Sequence, residues 1–199
     1  MVCAATNAAR ARDGAQRLLT EGADALISFG IAGGLDPDLA PGDLVLAEQV
    51  ESPGGDPMAT DPNWRAEWAA AAAGLRYVGG GLLDCAQVVT SIAEKRNLFE
   101  ASGAVAVDME SYAVAGAAAE AGVPFVAVRA IADPAGRPLP RSVVGSIGPD
   151  GRPRVGHVIL HLCLRPWESS ALLQLRRDTD AALASLSRLI RGFGPTGLY

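Results

Sequence analysis

Short apolar runs alternate with Ala-rich or amphipathic stretches along this chain, and glycine or proline stands at most of the changes. The pattern predicts alternating strands and helices. A helix begins at Thr6-Asn7, gathers Ala8, Ala9, Ala15, Leu18 and Leu19 on one face, and closes at Gly22. A strand over 24–29 runs into the glycine-rich segment 30–34, and another covers 43–50. Residues 51–63 carry three prolines and two glycines and are expected to be a loop near a site mouth, before a short helix over 64–73 with Trp64 and Trp68 one turn apart as packing residues. The apolar stretch 76–90 has Gly79, Gly80 and Gly81 inside it, which predicts a bend or bulge. Residues 91–102 read as a helix ending at Gly103.

Then comes a strand–helix–strand unit: 104–107, an Ala-rich helix over 113–121 with Gly122 as its C-terminal stop, and 125–131, ending at Asp133-Pro134. After a Pro- and Gly-rich segment, 134–153, a long helix is expected over 166–190, with Leu172, Leu175, Thr179, Leu183, Leu186 and Ile190 recurring at helical steps. Strands alternating with helices imply an α/β fold.

Two acids in the strand–helix–strand unit stand where open α/β sheets bind ligands, beyond the carboxyl ends of strands. Glu110 opens a helix after one strand, and Asp133 follows the next. A plainer role is open to both: Glu110 complementing a helix dipole, Asp133 making an Asp-Pro turn. The segment 30–34 allows positive φ and close approach of backbone to a ligand. It is not G-x-G-x-x-G, and a dinucleotide-dependent oxidoreductase is poorly supported.

Composition narrows the field further. The 199 residues are expected to form one domain, 1–199, and the net charge of −5 argues against a nucleic-acid surface. The most apolar stretch is interrupted by Glu120, Pro124 and Arg129, so no integral membrane segment is expected. Cys3, Cys85 and Cys163 are far apart and read as free thiols of a reducing cytoplasm, and no secretory leader is recognised. His157 and His161, four apart, lack a third ligand nearby, so no metal is expected. Arg137, Arg141, Arg152 and Arg154 belong either to a solvated loop or to a lid that could hold phosphate.

The residues V-D-M-E at 107–110, followed by V-P-F-V-A-V-R-A-I-A-D at 123–133, resemble the signature of the purine nucleoside phosphorylase and methylthioadenosine/S-adenosylhomocysteine nucleosidase superfamily. I-A-G-G-L-D-P-D-L-A-P-G-D at 31–43 resembles its glycine loop, with Ile31 where the nucleosidases commonly carry Ser. The resemblance implies a three-layer α/β/α sandwich with a mixed, partly barrel-like central sheet. It also implies that the family's first strand is missing ahead of Thr6, and with it groups that activate the nucleophile. Asp133 is then the acid at N7 of the purine, and Met109 and Glu110 contact the ribose. Ala32 and Gly33 lie in the loop that holds the base or an anion, and Val88 or Val89 covers one face of the purine.

Within the superfamily, S-F-G-I-A-G-G-L-D-P at 28–37 and R-A-I-A-D-P-A at 129–135 resemble the hopanoid-biosynthesis-associated phosphorylase, which acts on adenosylhopane. That resemblance implies adenine release from a lipid-linked nucleoside, with phosphate as co-substrate and no other cofactor. It also implies an enzyme that is cytoplasmic or peripheral to the membrane and a homo-oligomer, by default a dimer. A hydrolytic nucleosidase and a catalytically impaired nucleoside-binding protein are the alternatives.

Overall fold

Side-chain caps fix where the helices begin. Asn7 accepts from the Arg10 amide at 3.0 Å and opens helix α1 (Ala8–Thr20). Asp61 accepts from the Trp64 amide at 2.8 Å, with Pro62 in the first turn of α2 (Pro62–Ala71). Ser91 accepts from the Glu94 amide at 3.1 Å at the start of α3 (Ile92–Ser102). Gly103 and Gly122 end α3 and α4 (Ser111–Ala121) with φ of 70° and 68°, the left-handed conformation that glycine adopts without steric cost. These contacts come from a computed structural model, which describes residues 7–140 and 169–193. The predicted N-terminal strand tail, Cys3, Cys163, Arg141, Arg152, Arg154, His157 and His161 lie outside the described residues.

Eight described strands form one mixed sheet. In chain order they are β1 (Leu26–Gly34), β2 (Leu44–Leu46), β3 (Gln49–Glu51), β4 (Met58–Ala59), β5 (Tyr77–Val78), β6 (Gly81–Asp84), β7 (Ala106–Asp108) and β8 (Phe125–Asp133). Across the sheet the order is β4-β3-β6-β7-β1-β8-β2-β5. Strands β2 and β3 are separated in sequence only by Ala47 and Glu48, yet they lie in opposite halves of this order. The Ala47 amide donates to Ala127 O at 3.1 Å, and the Glu48 amide to Gly80 O at 2.9 Å. Two residues thus hand the chain from the β8 side to the β6 side, which requires the sheet to curl toward closure. The single strand expected over 43–50 is broken for this reason.

Helices cover both faces. Ala115, Ala117 and Ala118 of α4 pack with Ala15 of α1 on Leu26, Ala32, Ala127 and Ile131. On the other face α2 and the last helix, α5 (Ser169–Gly192), bury Trp68, Ala182, Leu186 and Leu189 against Val126, Val128, Ala130 and Ala132. Trp68 meets the rings of Phe29 and Phe193 at 5.7 and 4.5 Å, a packing role as expected. The buried stripe of α5 is rotated from the expected one: Asp178, Ala182, Leu186 and Leu189 face inward, while Leu183 and Ile190 are exposed. Ala182 is small enough to let the helix approach the sheet, and Asp178 is tolerated on the inner face because Arg137 pairs with it.

The segment 30–34 is not a loop. Strand β1 continues through Gly34, paired in parallel with β8, and none of its glycines has positive φ. All three stand where a Cβ would be crowded, Gly34 against Ile131 at 3.3 Å. A Cβ on Gly30 would stand 3.1 Å from the Arg129 guanidinium, and one on Gly33 would stand 3.2 Å from Val107 Cγ1. The apolar stretch 76–90 is two short strands separated by Gly79 and Gly80 (φ 116°), as the glycines suggested, and its ordered strand stops at Asp84.

Candidate active site

Strands β6, β7, β1 and β8 lie side by side, and their ends collect acids. Asp84 and Asp108 are the last residues of β6 and β7 and are direct partners in the parallel register. Both cap α4. The amides of Glu110 and Ser111 donate to Asp108 Oδ1 at 3.4 and 3.3 Å, and the Tyr112 amide donates to Asp84 Oδ2 at 3.3 Å. The helix thereby starts at Ser111, earlier than propensity suggests, because strand-end carboxylates satisfy its first N–H groups. Met109 and Glu110 form the turn between β7 and α4, and both are half-buried.

A charged network lies below that turn. Arg129, 3% exposed in the middle of β8, bonds Asp108 Oδ2 through Nε at 2.7 Å and Nη2 at 2.6 Å. Its Nη2 also donates to the hydroxyls of Ser28 at 2.6 Å and Ser111 at 2.8 Å. The Ser111 hydroxyl, with its single proton, is in hydrogen-bond reach of both the Ser28 hydroxyl at 3.0 Å and Asp108 Oδ2. Four buried polar residues from β1, β7, α4 and β8 satisfy one another, which is what keeps a buried guanidinium tolerable.

Asp133 ends β8 on the other side of β1. The β1–β8 register shifts by one residue there: Ala32 faces Ile131, but Gly33 faces Asp133, and Ala132 is the extra residue of a bulge. Asp133 Oδ2 lies 2.7 Å from Lys95 Nζ, an ammonium on α3 with no solvent exposure. Burial pushes the Asp133 carboxyl above its ordinary range, against the opposing pull of Lys95 and then Arg137. Lys95 itself is pushed down, chiefly by burial. Asp84 rises to about 6, first through burial and then through the charge of Asp108, with Glu110 adding to it.

Of the residues singled out from sequence, Gly33 and Asp133 are direct neighbours, and Gly33 pairs across to Val107, the residue before Asp108. Met109 and Glu110 follow on that same strand end. Ala32 is buried and serves the core with Ile131 and Ala115. Val89 is buried against Leu35, Leu83 and Val107, whereas Val88 is 39% exposed, so of the two only Val88 is open to a ligand. Ile31 is 43% exposed. Cavities of about 330 and 380 Å³ lie elsewhere, between β4 and α4 and beneath α5, and neither includes Asp133 or Glu110. Among the described residues no group of three or more His, Cys, Asp or Glu side chains is arranged to hold a metal.

Sequence reasoning passed over Lys95, Asp84, Asp108 and Arg129. Two left a signal. Lys95 falls in line with Leu98 and Phe99 on the apolar stripe of its helix, and Arg129 is the one charge inside an otherwise apolar strand.

A family model described as "Phosphorylase superfamily" matches residues 3–162, most of the chain. The chain belongs to the phosphorylase superfamily. A 5′-methylthioadenosine/S-adenosylhomocysteine nucleosidase from Marinomonas sp. (strain MWYL1) is 34% identical over 142 residues, covering 59% of each protein. The chain thus spans about three-fifths of the length of that curated relative. Among solved structures, the nucleosidase of Neisseria meningitidis in complex with methylthio-immucillin-A superposes with a TM-score of 0.68 at 19% identity, over 94% of this chain and 76% of that one. Futalosine hydrolase of Helicobacter pylori strain 26695 gives 0.64 at 18%, over 92% and 75%. These likenesses establish the mixed α/β sandwich of this superfamily as the fold.

Proposed function

We propose that this member of the superfamily cleaves the N-glycosidic bond of a 5′-substituted adenine nucleoside, with water as nucleophile and Asp133 as the acid. The observation that carries this reading is the place of Asp133 at the end of β8, opposite Gly33 and 2.7 Å from Lys95, where burial pushes its carboxyl above the ordinary range. Bond cleavage leaves an oxocarbenium-like sugar and a purine that gains negative charge. An acid at N7 neutralises charge that develops only in the transition state, so it lowers the barrier instead of merely tightening binding. Glu110, half-buried just after β7, fits the ribose hydroxyls and offsets the cationic sugar, with Met109 preceding it in the same turn. Val88 covers the base, and Gly33 leaves room beside the acid.

The acids at these strand ends favour water over phosphate. Among the described residues, Asp84, Asp108, Glu110 and Asp133 outnumber the two buried cations there, Arg129 and Lys95, each already held by a carboxylate. The 34% identity to a methylthioadenosine/S-adenosylhomocysteine nucleosidase points the same way. A second reading, phosphorolysis of adenosylhopane, draws on the motif resemblance and on exposed, apolar Ile31.

One assay separates them: adenine release from methylthioadenosine and from a 5′-alkyl adenosine, each with and without phosphate, with the sugar product resolved by chromatography. Release from methylthioadenosine without phosphate is the expected result. Release that requires phosphate and yields a sugar phosphate would replace the first reading by the second. Nucleoside binding in calorimetry with no release from either substrate would defeat both.

A further inference from the structure

Lys95 uses all three of its donors on one short stretch of chain. It meets Asp133 Oδ2 at 2.7 Å, Pro134 O at 2.9 Å and Arg137 O at 3.0 Å. An ammonium has three N–H groups, so this one is fully satisfied. A buried cation is costly, and the same helix face already carries Leu98 and Phe99, so packing alone has no need of a lysine here. Helix α3 also receives the far end of the stretch: the Leu139 amide donates to Thr90 O at 2.9 Å, just before the helix. The stretch is therefore clamped at both ends onto the start of α3, beside Val88 and Val89. Among the described residues, Asp133 Oδ1 has no partner, while Oδ2 is fixed.

We propose that Lys95 is the positioning residue of the acid: it holds Asp133 by Oδ2, turns Oδ1 toward the purine, and balances the carboxylate that forms when the proton leaves. This rests on the reading of Asp133 as the acid at N7. In the step, the O–H bond at Oδ1 breaks and an N–H bond forms at N7. The C1′–N9 bond breaks with its electron pair passing into the purine, water forms the new C1′–O bond and gives its spare proton to solvent, and Asp133 takes a proton back from solvent. The new carboxylate then lies against an ammonium already in place, so no group has to move to stabilise it. The other charges acting on the acid are Arg137, which favours the carboxylate, and Asp178, which opposes it.

The test compares Lys95→Met and Lys95→Arg with the unsubstituted protein, reading kcat, KM and the pH at which activity falls on the alkaline side. For Lys95→Met, kcat should fall by about a hundredfold or more while KM stays within a few-fold. Its alkaline limb should move upward by about one pH unit, because the cation that favoured the carboxylate is gone. Lys95→Arg should keep the limb in place. An unchanged kcat, or a lost kcat with an unmoved limb, overturns the proposal. If Lys95→Met does not fold, a displaced limb in Lys95→Arg has the same force. The carboxyl titration of Asp133, followed by 13C NMR and assigned with Asp133→Asn, needs no turnover. If the unsubstituted protein releases no adenine, the functional reading fails on its own. The titration still decides whether Lys95 governs this acid: a shift in Lys95→Met supports it, and an identical curve overturns it.

Discussion

Gly33 and Asp133 lie opposite each other across β1 and β8, one residue past the point where the two strands change register. A Cβ on Gly33 would stand 3.8 Å from Asp133 Oδ2 and 3.2 Å from Val107 Cγ1. Gly33→Ala therefore forces Val107 to yield by a few tenths of an ångström beside the acid, at a cost of about 1–3 kcal/mol. Gly34→Ala crowds Ile131 at a similar 3.3 Å but does not face the carboxyl. The two variants should lose comparable melting temperature, and only Gly33→Ala should also lose adenine release by tenfold or more. Equal activities would mean that the space beside Asp133 is unimportant.

Asp133→Asn keeps the shape and removes the proton that the purine needs. Adenine release should drop about 10²–10⁴-fold, the usual cost of losing a general acid. Circular dichroism and melting should stay near those of the unsubstituted protein, because Asn can still accept from Lys95. Undiminished release would remove Asp133 from the chemistry.

Removing one member of the Arg129 network should be far worse for folding than for any single contact on the surface. Arg129→Met leaves Asp108 buried without its cation, and about 3–5 kcal/mol of stability should be lost, seen in urea denaturation. Arg129→Met combined with Asp108→Leu removes both charges and should recover part of that loss. Failure of the double variant to recover would show that the serines, not the charge, set the cost.

Asp84 gives the fold a pH dependence with a definite sign. Its folded carboxyl titrates near 6, above the ordinary 3.8. The protonated form is favoured by folding, so its contribution is fully present below about pH 4 and is lost as pH rises through 6. A shift of roughly two units corresponds to about 3 kcal/mol at most. Asp84→Asn should therefore melt higher than the unsubstituted chain at pH 7.5 and no higher at pH 4. A gain of the same size at both values would point to packing.

Much of the fold was legible because its determinants are local. Asn7, Asp61 and Ser91 cap helices within three residues of themselves, and Gly103 and Gly122 stop them by backbone conformation. The acids Glu110 and Asp133 were visible as polar residues placed just after apolar runs. What could not be read is what depends on pairing. Gly30 to Gly34 look like a turn until Arg129, a hundred residues away, is seen to need the space above Gly30. The break at Ala47 and Glu48 follows from partners at Ala127 and Gly80, which no window around residue 47 contains. Lys95 and Asp133 meet only through the tertiary fold, and so a lysine in a polar-looking helix gave no sign of its partner.

Ala132 carries no functional group, and its contribution is one of counting. Along β8, Val126, Val128, Ala130 and Ala132 turn toward α5, while Ala127, Arg129 and Ile131 turn toward α4. Simple alternation would give Asp133 to the second set, but the bulge sets it opposite Gly33, where it meets Lys95 of α3 and not α4. Small residues could replace one another at position 132 without harm. Dropping or adding one residue between Ile131 and the acid would instead change its register with Gly33 and its reach to Lys95. The spacing here is inherited information in its own right, invisible to any comparison that scores residue types but tolerates a gap.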